Sequence, residues 1–312
     1  MKTCRHLVFI LGDQLDENSA AFADFDLSQD LVFMAEVREE STHVWSAKPR
    51  TAFFFAAMRQ FAALLQTRKI TVDYQRIGAH GFASLITALT DAIKRHHPQK
   101  IVMVEPGDWR VEQALRKFAT HSKLNLVMRE DMHFMCSRHE FAEWTRGYKQ
   151  FRLEYFYRMM RKRYNVMMEG DQPLHGRWNF DSENRGAFPR TGPVNIPARM
   201  SVAPDAITRD VIVDVNKHFA DHPGKLDEFA WPVTRKDALI SLAKFADERL
   251  KHFGEFQDAM WADEPFLYHA HISAALNVKL LNPREVINAA LTALITSRGF
   301  NSFTFNAADI CA

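Results

Sequence analysis

The chain has 312 residues, enough for two domains of ordinary size, and its 47% apolar and 25% charged content is that of a globular protein, not a disordered one. A net charge of +2 is too small to argue for a nucleic-acid partner by itself, and the three scattered cysteines, Cys4, Cys136 and Cys311, have neither disulfide-framework nor metal-knuckle spacing. No run approaches the roughly 20 apolar residues of a membrane span, and the N-terminus enters a strand-like run without a signal peptide, so a cytoplasmic address is expected.

In chain order, short apolar or β-branched runs predict strands at Leu7–Leu11, Leu31–Val37, Thr71–Ile77, Lys100–Glu105 and Asn125–Arg129. Between them, apolar residues three and four apart predict helices at Thr51–Arg68, Ala83–His96 and Asp108–His121. This alternation is the pattern of an open, doubly wound α/β domain with a parallel, Rossmann-like sheet. From Glu140 onward helical spacing dominates, through Glu140–Glu169, Thr208–His218, Arg235–Phe253 and Pro265–Leu276. Gly170–Arg199, with Pro173, Pro189, Pro193 and Pro197, reads as a long connecting loop.

Ligands of open α/β sheets collect beyond the carboxyl ends of the strands. Here those ends carry Gly12-Asp13-Gln14, Glu39-Glu40, Glu105-Pro106-Gly107 and Glu130-Asp131. Neither glycine-rich phosphate fingerprint occurs, so the rim suits an uncharged, hydrogen-bonding ring better than a phosphate. A helix cap at Asp13 and solvated glutamates fit the same pattern equally well.

The stretch after Glu140 carries Phe141, Trp144, Tyr148, Phe151, Tyr155 and Met159 on one stripe, with cations near its ends. Phe141–Met200 holds 11 Lys and Arg against 6 Asp and Glu, a local excess of 5. Phosphate contact is geometrically open to such cations, but a solvated charged face and aromatic core packing are the commoner uses of this pattern.

Several segments together resemble the deoxyribodipyrimidine photolyase-related proteins of the cryptochrome/photolyase superfamily. They are Leu11–Leu15, Ala52–Arg59, Glu105–Arg110, Met135–Arg138, Trp178–Arg185, Trp231–Arg235, Phe256–Met260 and Leu276–Val286, in the family's order and spacing. The resemblance implies an antenna domain over 1–135 holding a lumazine (6,7-dimethyl-8-ribityllumazine), a linking helix and interdomain loop over 136–200, and part of an all-α FAD domain over 201–312. It implies light-dependent repair of (6-4) photoproducts in damaged DNA by electron transfer from photoexcited reduced FAD. A cryptochrome-like blue-light sensor, or an inactive remnant keeping only the antenna module, are the alternatives.

Carried over by position, Asp13 and Glu40 fall in the antenna pocket, His43 stands where the family usually has tyrosine, and Phe54 occupies an aliphatic wall position. His269 and Ser273 fall in the flavin-phosphate segment, with Ala270 where serine is usual. Lys149, Arg158, Arg161 and Arg185 are the expected DNA contacts. Beyond about Leu294 the pattern departs from the family, which is read as a frameshift, an early stop or a deliberately shortened chain. Accordingly, no catalytic residue, no resident metal and no four-iron four-sulfur cluster are expected in this chain, although full-length relatives carry the cluster. The chain alone is expected to bind little FAD and to repair no lesion.

Overall fold

The computed structural model describes residues 4–180 and 183–296. Asp181 and Ser182 of the Trp178–Arg185 segment, and the tail from Ser297 with Cys311, lie outside the described residues. Two compact units divide the chain, and neither is continuous in sequence. One comprises Met1–His133, Ser201–Asp237 and Asn277–Leu280, and the other Phe134–Met200, Ala238–Leu276 and the chain from Leu281.

The first unit is built on five parallel strands, β1 (His6–Phe9), β2 (Leu31–Ala35), β3 (Val72–Gln75), β4 (Lys100–Val104) and β5 (Leu126–Arg129). Their order is β3-β2-β1-β4-β5, with Val8 opposite Val32 on one side and Val102 on the other. β1 and β2 are buried at every position and apolar throughout apart from His6, as central strands covered on both faces must be. The edge strands β3 and β5 are only half-buried and carry Asp73, Gln75 and Arg129. All five strands coincide with the predicted runs to within one or two residues at each end.

Helices α1 (Glu39–Thr42), α2 (Lys48–Thr67), α3 (Leu85–His96) and α4 (Trp109–Ser122) connect the strands. α3 begins at a reciprocal cap between Ser84 and Thr87, and α4 at Asp108, whose carboxylate accepts from the Arg110 N–H. Fully buried Leu7, Phe9, Phe33, Leu89, Ile101 and Met103 belong to the core. α2 is buried over most of its circumference because α7 (Ala206–His218) packs on it, with Phe55 and Phe219 ring centres 6.0 Å apart. Arg59 on α2 donates to both oxygens of buried Glu36, at 2.7 and 2.8 Å, and to Asp214 on α7 at 2.7 Å.

The second unit is helical, but differs from the expected pattern in two places. The single helix expected over 140–169 is two, α5 (Arg138–Thr145) and α6 (Leu153–Tyr164), followed by the short antiparallel pair β6 (Met168–Glu169) and β7 (Gln172–Pro173). The chain turns back between α5 and α6, so that Phe141 and Trp144 meet Phe156, and Glu140 pairs with Arg163. The expected helix over 265–276 is reduced to α10 (Ser273–Asn277), because Leu267 and His271 take left-handed backbone angles of 38° and 56°. The predicted helix Arg235–Phe253 is present as α8 (Arg235–Lys244), a π-helical turn at Phe245–Arg249 and α9 (Leu250–Phe256). The remaining helix is α11 (Pro283–Thr296).

Candidate functional site

In the first unit the sheet order reverses direction between β1 and β4, which opens a crevice at their carboxyl ends. Gln14 holds the turn after β1 against β4: its amide donates to the carbonyls of Val104 and Glu105 at 3.2 Å each, and its side-chain oxygen accepts from the Leu11 N–H at 3.3 Å. Asp13 therefore faces the β4–α4 turn. A Cβ built on Gly107 would lie 3.0 Å from the Asp13 Oδ2, so glycine at 107 makes room for this carboxylate. Asp13 is no helix cap, since the next helical turn begins at Ala20 and is capped by Ser19.

Burial pushes the Asp13 carboxyl above the ordinary aspartate range, opposed by the cationic Lys279 and reinforced by Asp131 and Asp108. Lys279 arrives with the segment Asn277–Leu280, where it donates to Asp131 at 2.5 Å while the Leu15 N–H donates to the Val278 carbonyl. Asp13 thus looks across at a buried ion pair.

Glu40 comes to the same β4–α4 turn from the β2 side. Both its oxygens accept from Arg110 Nη2, at 2.9 and 3.1 Å, and the same nitrogen lies 3.5 Å from Asp108. The Arg110 Nε is buried and has no hydrogen-bond partner among the described residues. Phe54 on α2 forms a wall beside the β1 turn: a Cβ on Gly12 would lie 3.4 Å from the Phe54 Cδ1 and 3.1 Å from the Met58 Sδ. Asp13, through Gly107, and Glu40, through Arg110, both reach the β4–α4 turn, and Phe54 borders the β1 turn at Gly12. His43 is not among them, because its exposed ring turns back on α1, with Nδ1 3.2 Å from the Glu39 carbonyl.

In the second unit Ser273 opens α10 and is exposed, and His269 is half-buried with its N–H donating to the Phe266 carbonyl. His271 between them faces inward, its ring nitrogen 3.0 Å from the Phe266 carbonyl, and burial pushes it down to about 4. The four expected DNA contacts differ among themselves. Lys149 and Arg185 are exposed, whereas Arg158 is half-buried, donating to Glu154 at 2.7 Å and lying over the Trp178 ring. Arg161 is buried, donating to the carbonyls of Val166, Met167 and Trp178, which withdraws it from phosphate contact and makes it a fastening of the α6 terminus. Among the described residues no cluster of three or more His, Cys, Asp or Glu could hold a metal ion, and no helix is long and apolar enough to cross a membrane.

A family model described as deoxyribodipyrimidine photo-lyase-related protein matches residues 8–231, which contain the whole β1–β5 sheet apart from its first two residues and the crevice at its edge. The chain belongs to this family. A (6-4) photolyase of Agrobacterium fabrum is 41% identical over 285 residues, covering 91% of this chain and 56% of the relative. A protein of Acanthamoeba polyphaga mimivirus is 24% identical over 139 residues, 43% of this chain and 68% of that protein. The crystal structure of a bacterial class III photolyase from Agrobacterium tumefaciens superposes with a TM-score of 0.52 at 16% identity, covering all of this chain and 56% of that one, a likeness of fold alone. The chain thus spans little more than half the length of these photolyases.

For a photolyase-related protein, the residues that sequence reasoning left without a role are Gly107, Arg110 and Lys279. All three lie in segments that carried the family resemblance. What each does depends on a partner from a different strand end, which no local pattern displays.

Proposed function

We propose that this chain serves light-dependent DNA repair of the (6-4) photolyase type, and that its own part is to hold the light-gathering ring, a lumazine, in the crevice of the first unit. The observation that carries the reading is the convergence of Asp13 and Glu40, from β1 and β2, on the β4–α4 turn. The donors fit an uncharged ring. Asp13 is a carboxyl whose protonation is favoured, Glu40 is an acceptor held in place by Arg110, and the buried Arg110 Nε retains an unused hydrogen. Phe54 and Met58 supply an apolar wall, and a polar ring edge against the carboxyls with an apolar face against that wall is the usual design of a small-molecule site.

Reduced FAD, when bound, would supply the photoexcited electron that reverts the pyrimidine photoproduct. In this chain the exposed Ser273 hydroxyl and the half-buried His269 are the groups available to its phosphates, and Lys149, Arg158 and Arg185 those available to damaged DNA. His43 is not assigned to the chromophore site.

Purified protein should retain added lumazine through gel filtration, and its absorbance identifies the reading. An oligonucleotide with one (6-4) photoproduct, illuminated with the lumazine- and FAD-supplemented protein, then separates two cases. Light-dependent loss of the photoproduct makes the chain itself an enzyme, and retention of lumazine without such loss limits it to an antenna module. Failure to retain lumazine contradicts the proposal.

A further inference from the structure

Position 279 is an unexpected place for a lysine. Its backbone is left-handed, with φ at 66°, where glycine or asparagine is favoured and a longer side chain is strained. The side chain is also buried, although lysine loses more rotamer freedom on burial than most residues and carries a charge that must be matched. Neither backbone nor burial selects lysine here, so the ammonium itself is what the position keeps.

Fastening the chain does not call for it. The segment Asn277–Leu280 is anchored in the first unit by buried Val278 and Leu280, by the Leu15 N–H donating to the Val278 carbonyl at 3.0 Å, and by Arg235 donating to the Leu280 carbonyl at 2.9 Å. A buried ion pair such as Lys279–Asp131, at 2.5 Å, adds little stability over an apolar pair of similar size, because desolvation offsets most of the attraction. Asp131 is itself fixed, since its other oxygen accepts from the His133 N–H at 3.1 Å.

The Leu15–Val278 bond lays this segment along the turn that carries Asp13, and Asp131 follows β5, the neighbour of β4. The charges that face Asp13 are Lys279, Asp131 and, from the β4–α4 turn, Asp108, while Asp16 on the same turn as Asp13 faces Arg235, Asp131 and Glu17. Burial is the largest influence on Asp13. Among the charges Lys279 acts most strongly, favouring the ionised carboxylate against that burial.

We infer that Lys279 is a positioning residue of the chromophore crevice: held by Asp131, its ammonium acts on the ring through Asp13, by governing whether that carboxyl can donate a hydrogen bond. This role rests on the crevice being the receptor for the ring. A protonated Asp13 donates, whereas an ionised one can only accept and leaves the ring edge it served unmatched.

The test is a fluorescence titration of the full 312-residue chain with lumazine across pH. In the parent, affinity should be level on the acid side and then fall about tenfold per pH unit once Asp13 ionises, the slope for release of one proton. Lys279→Met removes the attraction that favours the ionised carboxylate. Its break should therefore come at higher pH, and between the two breaks it should bind more tightly than the parent. Lys279→Met combined with Asp131→Asn leaves no orphaned carboxylate and carries the test if the single variant does not fold. It should shift in the same direction, because Lys279 acts on Asp13 more strongly than Asp131 does. Lys279→Arg keeps the charge and should restore the parental break, and Asp13→Asn should show no break. Lumazine binding in which the charge-removing variants break at the parental pH, or lose affinity equally at every pH, overturns the inference and leaves the chromophore reading standing, since Lys279 would then only fasten the chain. A break that persists in Asp13→Asn overturns it as well, because the titration would belong to another group. A parent that binds no lumazine contradicts the chromophore reading itself, and the role of Lys279 with it.

Discussion

Asp13 shows how a single side chain acquires chemistry from its surroundings. Its place after β1 was readable from the sequence, but its environment was not, because Gly107, Lys279 and Asp131 reach it from three other parts of the chain. Burial raises its proton affinity in the folded state, so the folded chain binds this proton more tightly than the unfolded one. The resulting stability is present at acid pH and falls as pH rises from the ordinary carboxylate value through the raised one. Asp13→Asn should therefore melt with the parent at the acid end of that window and above it at neutral pH. A variant melting below the parent at neutral pH would show that the Lys279 attraction outweighs burial. The opposite situation holds at Arg59, where the buried guanidinium is matched by Glu36 and Asp214. Arg59→Met should cost about 3–5 kcal/mol in denaturant unfolding, since it leaves the Glu36 carboxylate buried with only Tyr74 and the Ile77 N–H as donors. A loss below about 1 kcal/mol would contradict this account of the buried pair.

At the scale of elements, the sequence was most informative where burial on both faces imposed apolar runs, as in β2 and most of β1 and β4, and where apolar spacing at helical period marked α3 and α4. It was least informative in the aromatic region. Spacing from Phe141 to Met159 continues at helical period through the turn at 146–152, because the rings that look like one stripe pair across two antiparallel helices. Likewise Leu267, Tyr268 and Ile272 are buried without a continuous helix, with the Tyr268 hydroxyl donating to the Val194 carbonyl and the Arg249 guanidinium donating to the carbonyls of Pro197 and Ala198. Arg161 belongs to this scale too, because it fastens the end of α6 to the backbone at 166–167 and 178. Arg161→Met should lower stability by about 1–3 kcal/mol, and a variant as stable as the parent would show that water replaces those bonds without loss.

For the whole molecule, a net charge of +2 conceals an excess of five cations between 141 and 200, and the family match over residues 8–231 takes in most of the first unit together with 134–200 of the second. The fold of that unit was legible because a parallel sheet writes its pattern locally. The candidate site was legible only in part: strand ends named Asp13 and Glu40, resemblance named Phe54, and neither could exclude His43 or supply Arg110. The central claim is that these residues form one receptor for an uncharged, light-absorbing ring. Its most direct test is a fluorescence titration of the protein with lumazine, beside Asp13→Ala and Gly107→Ala, the second of which pushes on the Asp13 carboxylate without removing it. Both variants should remain folded and bind roughly 10- to 100-fold more weakly than the parent, as expected when a polar ring edge is left without its partner in a buried site. Equal affinity in all three proteins would contradict the account.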